Sequence, residues 1–148
     1  MTETLVVVSF LIQRDDKALL VQETEDDIRE TWCFPGGKLE QGETIGAGAK
    51  RELLEECGMR LISFGIIRIY EDIRDNILGM RLHLWVNAEE IRGAKLNNDV
   101  ITTGWFSKVE IKEMYEKGMI RPGKFHAPEI LDFLANKPID GKVTTLET

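Results

Sequence analysis

Short runs of β-branched residues separated by polar turns fill most of the first two-thirds of the chain. Thr4–Ile12 is nearly all apolar and reads as a buried strand. Arg14-Asp15-Asp16-Lys17 is a polar turn, and Ala18–Gln22 is the returning strand of a hairpin. The charged stretch Glu23–Glu30 reads as a loop. Trp32-Cys33-Phe34 is a short apolar strand ended by Pro35-Gly36-Gly37, a combination that marks a tight turn or a close backbone approach. Further on, Leu61–Ile73 reads as a long strand, bent or interrupted at Gly65, and Asp75–Gly79 as a turn. Met80–Asn87 is a strand with Leu82, Leu84 and Val86 on one face. Asp99–Phe106 is a loop leading into a short strand at Trp105-Phe106.

Helical spacing appears in three places. Thr44–Cys57 has Thr44 as N-cap and Gly58 as C-cap. Gly46 and Gly48 inside it are unfavourable, each by about 1 kcal/mol relative to Ala, and the sequence offers no reason for them. Val109–Glu116 and Ala127–Ala135 are the other two helices, and the residues from Lys137 read as a loose tail. Strands interrupted and followed by three helices predict an α/β fold with a mixed sheet between helices. The 148 residues, with no repeat, linker or low-complexity segment, fit one domain over 1–148.

Composition narrows the function. No apolar run is long enough to span a bilayer, and no secretory leader is visible, so a cytoplasmic location without a membrane partner is expected. Cys33 and Cys57 are expected as free thiols. The net charge of −7, with no basic stripe, argues against a nucleic-acid polymer as partner. The acidity is concentrated between Glu40 and Glu56. At 100° per residue, Glu52, Glu55 and Glu56 share one face of the helix, with Leu53, Leu54 and Cys57 turned away toward a core. Like charges at this spacing repel and need a counter-charge. Hard divalent cations take oxygen ligands and bridge carboxylates to phosphate oxygens. A solvated acidic face is the other reading of Glu-x-x-Glu-Glu, and the flanking residues decide between the two.

Those flanks resemble the Nudix box: Gly, five residues, Glu, seven residues, Arg-Glu, an apolar residue, any residue, Glu-Glu, any residue, Gly and an apolar residue. Gly37, Glu43, Arg51, Glu52, Leu53, Glu55, Glu56, Gly58 and Met59 meet every fixed position. Trp32-x-Phe34-Pro35-Gly36 also looks like the family's strand leading into the box. The resemblance implies a Nudix-type α/β/α sandwich and a pyrophosphohydrolase acting on acid anhydrides. It implies that Glu52, Glu55 and Glu56, with the backbone carbonyl of Gly36, bind Mg²⁺ or Mn²⁺. Glu43 and Arg51 would form a structural ion pair, and Lys38 is a candidate phosphate contact.

Nudix enzymes often carry a further metal-binding or water-orienting acid in a late loop. Asp99, in Asn97-Asn98-Asp99, is the candidate here, with Glu89 and Glu90 as competitors and an ordinary turn residue as the plain alternative. His83, His126, Trp32, Phe64, Tyr70, Trp105 and Phe106 read as structural rather than site residues. The implied substrate is a nucleoside di- or triphosphate or a related small pyrophosphate, acted on by a monomer or homodimer. ADP-ribose or another nucleotide sugar is the second enzymatic reading. A catalytically silent nucleotide sensor is the third, disfavoured because all box acids are present.

Overall fold

The computed structural model describes residues 3–23 and 30–146. Its elements are β1 (Glu3–Leu11), β2 (Gln13–Arg14), β3 (Lys17–Glu23), β4 (Trp32–Cys33), β5 (Gly36–Lys38), α1 (Ile45–Cys57), β6 (Met59–Arg74), β7 (Ile77–Glu90), β8 (Val100–Ser107), α2 (Lys108–Glu116), α3 (His126–Leu134) and β9 (Lys142–Thr145). One mixed sheet runs β5-β1-β7-β6-β9. In it β1 is parallel to β7 and β6 to β9, while β5–β1 and β6–β7 are antiparallel. A smaller sheet centres on β3, which pairs with β2, β4 and β8.

Alternation along β1 and β7 places helices on both faces of the larger sheet. Val8, Phe10, Leu82, Leu84 and Val86 pack with Ala49 and Leu53 of α1. Leu11 faces the other way and joins Phe34, Ile111 and Met114 of α2, and Ile130 of α3. Burying each such side chain contributes about 1.5–3 kcal/mol, so the two apolar clusters fix α1 on one side and α2 and α3 on the other. This is the expected α/β/α arrangement with a mixed sheet.

Both caps of α1 form: the Thr44 hydroxyl accepts from the Ala47 N–H, and Gly58 adopts the left-handed conformation at φ 65°. Gly48 has a packing reason, since a β-carbon there would meet Leu39 Cδ1 at 2.6 Å and Glu43 Oε1 at 3.0 Å. Gly46 has no such constraint, its nearest neighbour being Phe64 Cε1 at 3.5 Å. Cys33 and Cys57 are free, as expected, and burial pushes both thiols up.

Several expectations are corrected. Of the two readings of Gly36 and Gly37, the close backbone approach holds and the tight turn does not: they pair with Ser9 and Val8 as strand β5. Glycine is needed at Gly36 because a β-carbon would collide with the Val8 carbonyl. The strands around the 75–76 turn are longer than the apolar pattern suggested, because polar Arg74 and exposed Ile77 still pair across a two-residue turn. That turn is Asp75-Asn76 with φ 52° and 61°, a conformation Asp and Asn tolerate. β6 is not broken at Gly65, where the Trp85 indole packs over the backbone; its register shifts between Leu61 and Ser63 and between Ile66 and Arg68. The Asp99–Phe106 segment is strand from Val100 onward. The residues after Lys137 are not a loose tail throughout, since Lys142–Thr145 adds β9 to the sheet edge beside Arg68–Glu71. Of the expected loop Glu23–Glu30, Glu23 ends β3 and residues 24–29 lie outside the described residues.

Candidate active site

Helix α1 carries the acids, and β5 lies against it. Glu52 and Glu56 are buried, 9% and 4% exposed, one turn apart on the side of α1 facing β5. The Gly36 N–H donates to Glu56 Oε1 at 3.4 Å. The Glu52 carboxyl sits where a β-carbon on Gly37 would stand, which is why that position is glycine. Leu53 is fully buried on the opposite side, but Leu54 is 44% exposed and does not reach the core. The three box acids of the helix are also less alike than one helical face implied: Glu55 is half-exposed and is held with Glu52 by Arg51.

Arg51 is the hub of the box. Its Nε donates to Glu43 Oε2 at 2.7 Å, and Nη2 donates to Glu43 Oε1 and to the Lys38 carbonyl, each at 3.0 Å. Nη1 donates to Glu52 at 2.8 Å and Glu55 at 3.3 Å. The guanidinium holds Glu43 down at about 2, and the same bond to Glu43 raises Arg51. The ion pair inferred for Glu43 and Arg51 is thus present, and it does more than join loop to helix. It supplies part of the counter-charge that the acidic face requires.

Glu56 has no cationic partner of this kind among the described residues. Burial, followed by the charges of Glu23, Glu52 and Asp99, pushes its carboxyl up to about 8, against the opposing Gly36 N–H. Burial likewise raises Glu52. Asp99 therefore lies within electrostatic reach of Glu56. It also occupies the turn predicted by the plain alternative, its N–H donating to Asn97 Oδ1 at 3.3 Å. Glu89 and Glu90 lie elsewhere, on exposed ion pairs with Arg60 and Arg14.

Glu23 was not singled out in the sequence. It ends β3, and β3 pairs with β8 so that Glu23 stands opposite Val100, next to Asp99. Strand pairing across more than seventy residues brings the two acids together, and no local pattern signals that. Glu23 also pairs with Arg121 at 3.5 Å.

Beside these acids lies a cavity of about 230 Å³, lined by Val7, Glu23, Phe34, Gly36, Gly37, Lys38, Arg81, Arg121 and His126. Lys38 is exposed at this cavity. His126, read as a cap or surface residue, lines it instead; burial lowers its imidazole to about 3, so the ring is neutral, and its Nδ1 has no hydrogen-bond partner among the described residues. Arg81 was likewise missed, as a polar residue in an apolar strand whose partner lies on a distant helix. His83 is structural, as expected: it is 2% exposed, with Nδ1 2.9 Å from Ser9 Oγ. Tyr70 is buried and donates to Asp132 at 2.8 Å, and Trp32 packs edge-on against Phe106. Phe64, by contrast, is 36% exposed.

The NUDIX domain family matches residues 3–127. The chain belongs to the Nudix family. A NUDIX hydrolase structure from Nitrosomonas europaea superposes with a TM-score of 0.70 at 28% identity, covering 92% of each chain. The 8-oxo-dGDP phosphatase of Mus musculus is 39% identical over 54 residues, which are 36% of this chain and 17% of that protein. The ADP-ribose pyrophosphatase of Methanocaldococcus jannaschii is 35% identical over 54 residues, 36% of this chain and 32% of that protein. The chain thus matches well under half the length of these two relatives, and the family rather than either activity is what they share with it.

Among the described residues no three acids, histidines or cysteines form a group that could by itself hold a metal ion. The donor chemistry still fits a hard divalent cation. Glu23, Glu52 and Asp99 are oxygen donors whose charges raise the proton affinity of Glu56, an interaction that a cation beside Glu56 would reverse. No helix among the described residues is long and apolar enough to cross a membrane.

Proposed function

We propose that this Nudix protein hydrolyses a phosphoanhydride bond in a nucleoside di- or triphosphate or a related small organic pyrophosphate, with Mg²⁺ or Mn²⁺. The observation that carries this reading is Glu56: a buried carboxyl on the box helix, against the Gly36 peptide that lines the cavity, with Glu23, Glu52 and Asp99 within electrostatic reach.

Glu52, Glu55 and Glu56, with the Gly36 carbonyl, would hold the cation. When bound there, a divalent ion neutralises phosphate oxygens and acidifies water. Arg51 holds Glu52 and Glu55 in place through Nη1 while Glu43 fixes its other edge. Gly37 lets the Glu52 carboxylate lie close to β5. Lys38 offers an ammonium to the phosphates. Asp99 takes or orients the proton of the attacking water. The water oxygen joins phosphorus, the anhydride P–O bond breaks, and the leaving phosphate carries away the bond's electron pair.

The substrate-panel assay that tests this supplies nucleoside di- and triphosphates and ADP-ribose with Mg²⁺ or Mn²⁺ and identifies products by mass. Cation-dependent release of phosphate or pyrophosphate is expected. Undiminished turnover after exhaustive EDTA treatment would overturn the mechanism. Nucleotide-sugar cleavage is the second reading, favoured by the likeness to the archaeal ADP-ribose pyrophosphatase; exclusive turnover of ADP-ribose would establish it in place of the first.

A further inference from the structure

A second cavity, of about 180 Å³, lies between α3 and strands β1, β6 and β7. It shares no lining residue with the cavity beside the box acids; it meets Glu129, where that one meets Arg81, the partner of Glu129. Burial orders its lining. His83, Tyr70 and Glu129 are 2%, 1% and 1% exposed and form the inner end, while Asn136, Lys137 and Ile139 are exposed at the mouth. Leu11, Ile67 and Phe133 add apolar wall.

The inner end holds an unsatisfied acceptor. His83 Nε2 is buried and has no hydrogen-bond partner among the described residues. Its neighbours decide the tautomer. The Ser9 hydroxyl has one proton and gives it to Glu129 Oε2 at 2.5 Å. Arg81 donates to both Glu129 oxygens, at 2.9 and 3.1 Å, which keeps that carboxylate ionised and accepting. Ser9 Oγ is then left to accept from His83 Nδ1, 2.9 Å away. Burial lowers His83, so the ring is neutral, and with its proton on Nδ1 the other nitrogen is a bare acceptor. A buried acceptor left unmet is costly, and a ligand that donates to it removes that cost.

The mouth sets the charge. Arg68, Lys108 and Lys137 line the cavity with Asp132 and Glu129. Glu129 is matched by Arg81, and Arg68 reaches Asp140 at 3.2 Å and Asp132 at 4.0 Å. With those partners included, four cations face three carboxylates. The surplus lies with the two lysines: Lys108 donates to Asn136 Oδ1, beside Lys137 in the chain. Dry cavities of about 150 Å³ take benzene, so the space here suits a single ring.

We propose that this cavity is a second binding site, for a small aromatic monoanion that carries a hydroxyl or N–H. The ring lies among the apolar walls, the donor meets His83 Nε2, and the anionic group meets Lys108 and Lys137. The inference does not depend on the reaction proposed above.

The probe is para-hydroxybenzoate, compared with benzoate, which lacks the donor, and phenol, which lacks the charge. Each is titrated into the whole, nitrogen-labelled protein and followed by NMR. Before any addition, the imidazole spectrum should show the His83 proton on Nδ1 and a bare Nε2. The probe is expected to bind about tenfold more tightly than either comparison compound, to shift the amides of Ile67, Tyr70 and Phe133, and to move the Nε2 resonance as a donor reaches it. The double variant Lys108→Gln/Lys137→Gln should bring the probe within about threefold of phenol, with phenol itself unchanged. His83→Phe should abolish the preference for the probe over benzoate; should that variant fail to fold, the tautomer and the lysine variant still decide. A proton on His83 Nε2 in the free protein overturns the proposal. So do equal affinities for the three compounds, no binding of the probe, or amide shifts that gather at Gly36 and Lys38 instead.

Discussion

The Glu52 carboxylate occupies the space beside Gly37 that any side chain at that position would need. Gly37→Ala should therefore push Glu52 off β5 and cut turnover by on the order of a hundredfold, an effect of about 2.7 kcal/mol on the barrier. Steady-state kinetics with a melting curve checks this; a fully active alanine variant would show that the close approach is dispensable.

Glu56→Gln should separate activity from stability. The folded carboxyl titrates at about 8 against an ordinary 4.5. Between those values the folded chain keeps a proton that the unfolded chain has lost. The contribution of Glu56 to the metal-free protein is thus full below the ordinary value and is lost as pH rises toward 8, at most about 1.4 kcal/mol per pH unit. In EDTA the parent should melt progressively lower from pH 5 to 8 relative to Glu56→Gln, while the variant loses turnover by on the order of a hundredfold. Parallel melting profiles would contradict the assigned environment.

Asp99 and Glu23 both bear on Glu56. Asp99→Asn is expected to lower turnover at least about tenfold with little change in melting temperature. Glu23→Gln should weaken both, since Glu23 also pairs with Arg121. An Asp99→Asn enzyme with full activity across the pH range would reduce Asp99 to its turn.

Arg51→Ala should lower melting temperature and activity together. It strands Glu43 and frees Glu52 and Glu55 to repel each other. Glu43→Gln keeps the guanidinium on Glu52 and Glu55 and should cost less on both counts. Calorimetric melting of the two variants ranks them, and equal losses would contradict the hub role.

The helix glycines should respond in opposite directions. Gly46→Ala, with only ordinary contact to Phe64, should stabilise by up to about 1 kcal/mol. Gly48→Ala should destabilise, because the new methyl meets Leu39 and the Glu43 carboxylate. Denaturant unfolding measures both, and a stabilised Gly48→Ala would mean that the loop over α1 gives way freely.

Features that depend on local spacing are legible in the chain before it folds. Thr44 and Gly58 cap a helix because their side-chain oxygen and left-handed backbone act on residues within one turn. The alternation of Leu82, Leu84 and Val86 selects the sheet face that α1 covers. The box, through Gly37, Glu43, Arg51, Glu52, Glu55 and Glu56, was legible for the same reason, its parts lying on one loop and one helix. Tertiary structure decided the rest, because it depends on pairing between distant segments. The β3–β8 register brings Glu23 beside Asp99, and α3 delivers Glu129 to Arg81 across 48 residues. The same reasoning explains why Lys142–Thr145 is strand: its β-branched residues suit a strand, but four mostly exposed positions are too few to mark one, and the free edge of β6 supplies the hydrogen bonds that order it.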